Sequence, residues 1–196
     1  MAAKPLRRKA YQDKFKMSLR QWLLFHQKEI VFDQVSWLGV KVYKNPLDAW
    51  VYQEIIYDTQ PDVIVEIGSK FGGSTKFFAN LLDLLGKGQV ISVDINRKFY
   101  NFEHERVIAL TGDSAAPEIV SQVAELCRGK SVLVIHDGDH SKEQVLKDLR
   151  SYAGFVTLNS YVIVEDGIVV LYHFGDGLGF EKGGPLASVE VLVKGN

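Results

Sequence analysis

Acidic residues recur at one kind of place in this sequence, the end of a short apolar run. Glu66 closes VIVEIG, Asp94 closes VISVD, Asp113 follows IALTG, Asp137 and Asp139 follow VLVIH, and Glu165-Asp166 follows YVIV. Carboxylates placed this way can do two kinds of chemistry. Spread along an edge, they accept hydrogen bonds from hydroxyls and attract cationic groups. Gathered where neighbouring strands end about 5 Å apart, they can share one hard divalent cation, because all-oxygen donor sets suit Mg2+ or Ca2+ better than zinc. Such a cation would also relieve the mutual repulsion of Asp137, Glu165 and Asp166, with Asp139 a weaker ligand facing the substrate or the ligands. His140, next to Asp139 in IHDGDH, is of the residue type suited to take a proton near neutral pH.

The surrounding elements decide whether these groups can meet. DVIVEIG lacks polar alternation, the pattern of a strand buried on both faces of a parallel sheet. QVISVDI, ERVIALTGD, SVLVIHDGDH and SYVIVEDG read as four further strands. Between them GSTKFFANLLDLL, AAPEIVSQVAELC and SKEQVLKDLRSYAGF read as helices, with Ser74 or Thr75 near the start of the first and Pro117 in the first turn of the second. Strand and helix thus alternate from about residue 62 to 166. That is the signature of a doubly wound α/β fold, a mostly parallel sheet with helices on both faces. Ligands of such sheets sit outside the carboxyl ends of the strands, the edge on which every acid falls. Upstream, residues 10–35 read as helical, Trp37–Val42 as a short apolar segment, and Asn45-Pro46 as the start of a helix through LDAWVYQEIIYDT. Residues 1–35 are therefore assigned to a basic arm and helix and 36–196 to the α/β domain. Tyr43, Trp50 and Tyr52 are expected to pack in the core.

The loop VEIGSKFGGST restricts the ligand. It lacks the Lys of a P-loop and the second glycine of a dinucleotide fingerprint. Glu66, expected at the mouth of the loop, would repel phosphate and suit an ammonium or sulfonium. S-adenosylmethionine meets these demands. The expected contacts are Gly68, Ser69, Gly72 and Ser74 around its amino-acid part, Asp94 on the ribose hydroxyls, and Asp113 with Ser114 beside the adenine.

WLGVKVYKNPLDAWVYQEIIYDTQPDVIVEIGSKFGGST, VISVDI, GDSA, HDGDHSKEQVLKDL and SYVIVEDG together resemble the cephalosporin hydroxylase and rhamnosyl O-methyltransferase family over about residues 36–190. The resemblance implies a Rossmann-like class I methyltransferase fold and an O-methyltransferase that uses S-adenosylmethionine and Mg2+. It further implies a small-molecule hydroxyl acceptor, such as a sugar or natural product, and a homo-oligomer contacting through its N-terminal helices. Mg2+ would be held by Asp137, Glu165 and Asp166 against the acceptor oxygen, with His140 as general base and His136 packing or orienting the acids. Members of the family continue into two strands beyond GGPLASVE, so a chain ending at Asn196 is expected to lack the last strands of the sheet. Two other readings stay open. One is a non-catalytic or truncated protein of the same fold that binds or assembles. The other is an Fe(II) oxygenase using two histidines and a carboxylate, with His136 or His173 beside His140 and Asp137.

Bulk properties exclude other classes. The chain has 196 residues, 46% hydrophobic, with a formal net charge of -1, so nothing general favours nucleic acid. The basic residues Lys4, Arg7, Arg8, Lys9, Lys14, Lys16 and Arg20 crowd the N-terminus and read as a solvated arm. The single Cys127 permits no intramolecular disulfide and reads as core. With no apolar signal region and no run of about 18 apolar residues, the expectation is a cytoplasmic protein without membrane contact. The glycine-rich stretch after Asp166, carrying Tyr172, His173 and Phe174, is long enough to act as a lid.

Overall fold

The computed structural model describes residues 17–167 together with Pro185, Ser188 and Val189. The basic arm before residue 17 and the expected lid with Tyr172, His173 and Phe174 lie outside the described residues. Helix α1 (Leu19–Phe25) opens with a capping box between Ser18 and Gln21. It widens into a π-helical stretch, His26–Val31, and ends in a short helical piece, Phe32–Gln34. The apolar segment read at Trp37–Val42 is a tight antiparallel hairpin of β1 (Ser36–Trp37) and β2 (Val40–Lys41). Helix α2 (Pro46–Thr59) starts where Asn45-Pro46 predicts: the Asn45 side chain accepts from the Leu47 amide at 3.1 Å, satisfying one of the free amides of the first turn.

The α/β unit follows as β3 (Val63–Ile67), α3 (Gly73–Leu85), β4 (Gln89–Asp94), β5 (Val107–Thr111), α4 (Pro117–Cys127), β6 (Val132–His136), α5 (Lys142–Tyr152) and β7 (Val162–Val164). All five strands are parallel, in the order β5-β4-β3-β6-β7. The chain builds outward from β3 to β5, then crosses back to lay β6 on the other side of β3. Their carboxyl ends therefore diverge between β3 and β6, the crevice in which doubly wound sheets bind ligands.

Every residue of β3 and β6 is buried, as the absence of alternation predicts. Val63, Val65, Ile67, Val132 and Val134 face one side, against Ile119, Val123 and Cys127 of α4 and Tyr152 of α5. Ile64, Leu133 and Ile135 face the other, against Tyr52 and Ile56 of α2 and Phe77, Phe78 and Leu82 of α3. Each such side chain contributes about 1.5–3 kcal/mol on leaving water, which fixes the register of β3 against β6 and hence the relative height of their ends. The hairpin is fastened to α3 by Trp37, whose indole donates to Asn80 at 3.0 Å and stands edge-on to Phe77.

Candidate active site

The loop after β3 is built around close backbone approaches. Gly68 has φ +88, and a Cβ there would overlap the Asp137 carbonyl at the end of β6. The Asp137 amide donates to the Ile67 carbonyl at 2.8 Å, so the two strand ends are stitched together where they begin to part. Gly72, also at positive φ, caps α3 under the rings of Tyr100 and Phe102. The Asp94 carboxylate accepts from the amides of Lys70 (2.7 Å), Ser69 (2.9 Å) and Asn96 (3.1 Å). Partial burial opposes its ionisation, but these amides and Arg97 outweigh it and hold Asp94 below the usual carboxylate value. Arg97 supports the loop from beneath, donating to Ser69 Oγ at 2.6 Å and to the Leu110 carbonyl at 2.8 Å.

Beyond the ends of β3, β4, β5 and β6 lies a cavity of about 430 Å³, of a size suited to a nucleoside-bearing ligand. Gly68, Asp94, Asp113 and Ser114 line it, with Asp137 and Asp139, and Ile67, Val93, Ile95 and Phe99 supply apolar walls. Glu66, Ser69, Gly72 and Ser74 do not line it.

The Glu66 expectation is corrected outright. The strand runs on to Ile67, so Glu66 falls on the α3 face of β3, fully buried, and accepts from the Thr75 hydroxyl. Burial, only partly offset by the Ser74 and Thr75 hydroxyls, pushes its carboxyl up to about 7. Asp94, Asp113, Asp137 and Asp139 instead line the cavity, with Lys70 as the one cation among the lining residues. Ser69 and Ser74 are buried, Ser69 against Asp94 and Arg97. Ser114 reaches the cavity, but its hydroxyl donates to Asp148 at 2.7 Å. Asp113 accepts from the Ala115 amide at 2.9 Å.

Asp137 forms a wall shared with a second cluster. Atoms of Asp137, His140 and Asp166 lie within 4.8 Å of one another, and His140 Nε2 is 3.1 Å from Asp166 Oδ2. Asp166 adopts a left-handed φ of 60, a conformation Asp tolerates better than most residues. Glu165 accepts instead from Tyr52 and from Lys44. Burial, then the neighbouring Asp137 charge, raise the Glu165 carboxyl above its usual range. Asp139 turns away, accepting from the Ser141 amide at 2.6 Å. The structure thus brings Asp137, His140 and Asp166 together, places Glu165 alongside, and leaves Asp139 on the cavity side.

Two groups here escaped the sequence reading. Lys44, 6% exposed, puts its ammonium 2.7 Å from Asp137 and also against Glu165. Burial works to lower its pKa, but Asp137 and Glu165 outweigh it and keep the ammonium charged. Tyr52, read as core, packs on Phe78 yet directs its hydroxyl to Glu165. Burial and then the Glu165 charge hold that phenol protonated, as a donor. Both lie within the stretch that carries the family resemblance, which assigned neither a role in the site; the hairpin and α2 bring them in.

His136 serves a different network from the one expected. It is 1% exposed and bonds through Nε2 to Asp148 of α5 at 2.9 Å. Asp148 also takes Ser114 and, at 3.2 Å, Gln144. His136 therefore does not join His140 and Asp137, which removes one of the two histidine arrangements an Fe(II) oxygenase would need; the other, with His173, lies outside the described residues.

Residues 29–196 match the family model described as rhamnosyl O-methyltransferase/CmcI. The chain is 36% identical over 157 residues to a rhamnosyl O-methyltransferase of Mycobacterium leprae, covering 75% of this chain and 68% of that protein. It is 31% identical over 159 residues to its namesake in Mycobacterium tuberculosis, covering 76% and 64%. The chain therefore spans about two thirds of the length of these relatives. Among solved structures, CmcI with Mg and SAM superposes with a TM-score of 0.63 at 20% identity, over 99% of this chain and 78% of that one. A protein described as "a putative caffeoyl-CoA O-methyltransferase from Staphylococcus aureus" gives 0.59 at 18% identity, over 95% and 88%. These likenesses establish the Rossmann-like methyltransferase fold.

Proposed function

The chain belongs to the rhamnosyl O-methyltransferase/CmcI family, and from that premise we propose that it transfers a methyl group from S-adenosylmethionine to a hydroxyl of a small molecule, a sugar or another natural product, with the help of a divalent cation. One observation carries the reading: Asp137 is at once a wall of the nucleoside-sized cavity and a member of the carboxylate cluster. A methyl donor on one side and an acceptor oxygen on the other would meet across that residue. The solved relatives fit the pairing, since MycE has been crystallised with Mg, SAH and mycinamycin VI.

The residues present suit both groups. The cavity is acidic with apolar walls, as a sulfonium and a nucleoside require. The cluster is oxygen-rich, and Asp137, Glu165 and Asp166 together carry more negative charge than Lys44 alone neutralises. Asp137 and Asp166 would hold the cation, with Glu165 beside them, oriented by Tyr52 and Lys44. When bound, S-adenosylmethionine supplies an electrophilic methyl and the cation supplies Lewis acidity that lowers the pKa of the acceptor hydroxyl. Asp94 would accept from the ribose hydroxyls, Asp113 and Gln144 would lie beside the base, and Ile95 and Phe99 would exclude water from the ring. His140, kept in orientation by Asp166, would take the proton from the acceptor oxygen and leave it nucleophilic toward the methyl that S-adenosylmethionine would supply, with S-adenosylhomocysteine as the leaving group. The fold contributes chiefly alignment.

The test is transfer of labelled methyl from S-adenosylmethionine to a panel of glycosides and hydroxylated natural products, with Mg2+ or with EDTA. Label should pass to at least one hydroxyl in the presence of Mg2+, and fall by about a hundredfold or more in His140→Ala, the usual scale of general-base loss. Transfer that survives EDTA unchanged would remove the cation from the reading. Equal rates in wild type and His140→Ala would remove the base.

A further inference from the structure

The Lys44 ammonium lies among the carboxylates on which the metal reading depends, 2.7 Å from Asp137 and in contact with Glu165. It arrives from the segment between the hairpin and α2, tethered by Asn45 at the helix start, and is 6% exposed. The desolvation of a charge so placed must be offset by partners that stay in place. Lys44 has two such partners, on different elements: Asp137 after β6 and Glu165 after β7. Asp166 and His140, the other members of the cluster, pair with each other at 3.1 Å. Without metal, a lysine ammonium thus stands between the ends of β6 and β7, paired with one carboxylate from each.

We infer that Lys44 is a built-in counter-cation: it preassembles Asp137 and Glu165 before metal arrives, and a divalent ion must displace its ammonium from Asp137 to bind. The inference rests on the metal-dependent reading above and adds a residue that sets its cation affinity. An ammonium kept 2.7 Å from Asp137 would repel a divalent ion bound to the same carboxylate. Wild type should therefore bind Mg2+ more weakly than a chain in which Lys44 is replaced by an uncharged side chain of similar length. Lys44 acts through the ligands and is a positioning residue, not a catalytic one.

The experiment is calorimetric titration of Mg2+ into the metal-free full chain, as wild type, Lys44→Met and Lys44→Arg. Lys44→Met should bind at least about tenfold more tightly than wild type, while Lys44→Arg, which keeps the charge, should not. In EDTA the Lys44→Met protein should melt below wild type, and it should recover more than wild type does when Mg2+ is added. Should Lys44→Met fail to fold, the displacement is read in wild type by NMR of the lysine ammonium groups. A protected Lys44 signal should be present without Mg2+ and lost at saturation. Equal or weaker Mg2+ binding by folded Lys44→Met, or a Lys44 signal unmoved by saturating Mg2+, overturns the inference while leaving the metal reading intact. No Mg2+ binding by any of the three proteins overturns both.

Discussion

Replacing Asp148 by Ala should unsettle the cavity from behind. Asp148 is 1% exposed and accepts three hydrogen bonds, from His136 at 2.9 Å, Ser114 at 2.7 Å and Gln144 at 3.2 Å. Gln144 is half-buried and can turn to water, so its loss costs little. His136 has no such recourse: a buried polar atom stripped of its partner costs about 1–3 kcal/mol. Ser114 adds about 1 kcal/mol, and the space left by the carboxylate roughly another. The sum is about 3–5 kcal/mol, the range found when one member of a buried pair is removed. With a urea slope of roughly 2 kcal/mol per molar, the unfolding midpoint should fall by roughly 2 M. Asp148→Asn keeps the shape and two acceptor directions, so it should lose less than half of this. Because Ser114 and Gln144 line the cavity, both variants should also bind S-adenosylhomocysteine more weakly under conditions where they are folded. Urea unfolding and calorimetry measure the two effects separately. A cost under about 1 kcal/mol for Asp148→Ala would refute the claim that His136 depends on this partner.

Three further outcomes follow from the geometry. Gly68→Ala places a Cβ on the Asp137 carbonyl at a φ of +88; it should cost at least about 2 kcal/mol in urea unfolding and, by moving Asp137, reduce ligand affinity in the chains that fold. Glu66, held in the folded state at about 7 by burial, contributes stability that is full below the unfolded value near 4.5 and is lost as pH rises through about 7. Urea midpoints measured from pH 5 to 8 should therefore decline in wild type and be flatter in Glu66→Gln. Asp62 behaves oppositely: the Ser131 amide and then Lys87 lower its pKa to about 2. Its stabilisation is present above the ordinary carboxylate value near 4 and lost as pH falls toward 2, and Asp62→Asn should blunt that acid limb.

The fold was largely legible because its signals are local. The unbroken apolar runs of β3 and β6 announce strands covered on both faces, and Pro46, Pro117 and Ser141 mark helix starts where the structure has them. The acid edge was legible for the same reason at Asp94, Asp113, Asp137, Glu165 and Asp166, which end or closely follow their strands. Misreadings came where one residue of register decides the outcome. Glu66 was taken for a strand end, but it shares a face with Ile64, and that alternation already pointed it into the α3 layer. Asp148 carried a comparable clue, an acid among Val145, Leu149 and Tyr152 on the buried side of α5. Lys44 carried none. Its partners lie 93 and 121 residues away, and only the packing of the hairpin and α2 brings them together. Long-range ion pairs of this kind leave no periodicity to read.

The central claim is that the cavity between the ends of β3, β4 and β6 holds S-adenosylmethionine, and calorimetry of that ligand with wild type and Asp94→Ala tests it most directly. The expected result is micromolar binding by wild type and a loss of at least about tenfold in Asp94→Ala, since the carboxylate both fixes the Ser69–Lys70 backbone and lines the cavity. A folded wild-type chain that binds neither S-adenosylmethionine nor S-adenosylhomocysteine, with or without Mg2+, would contradict it.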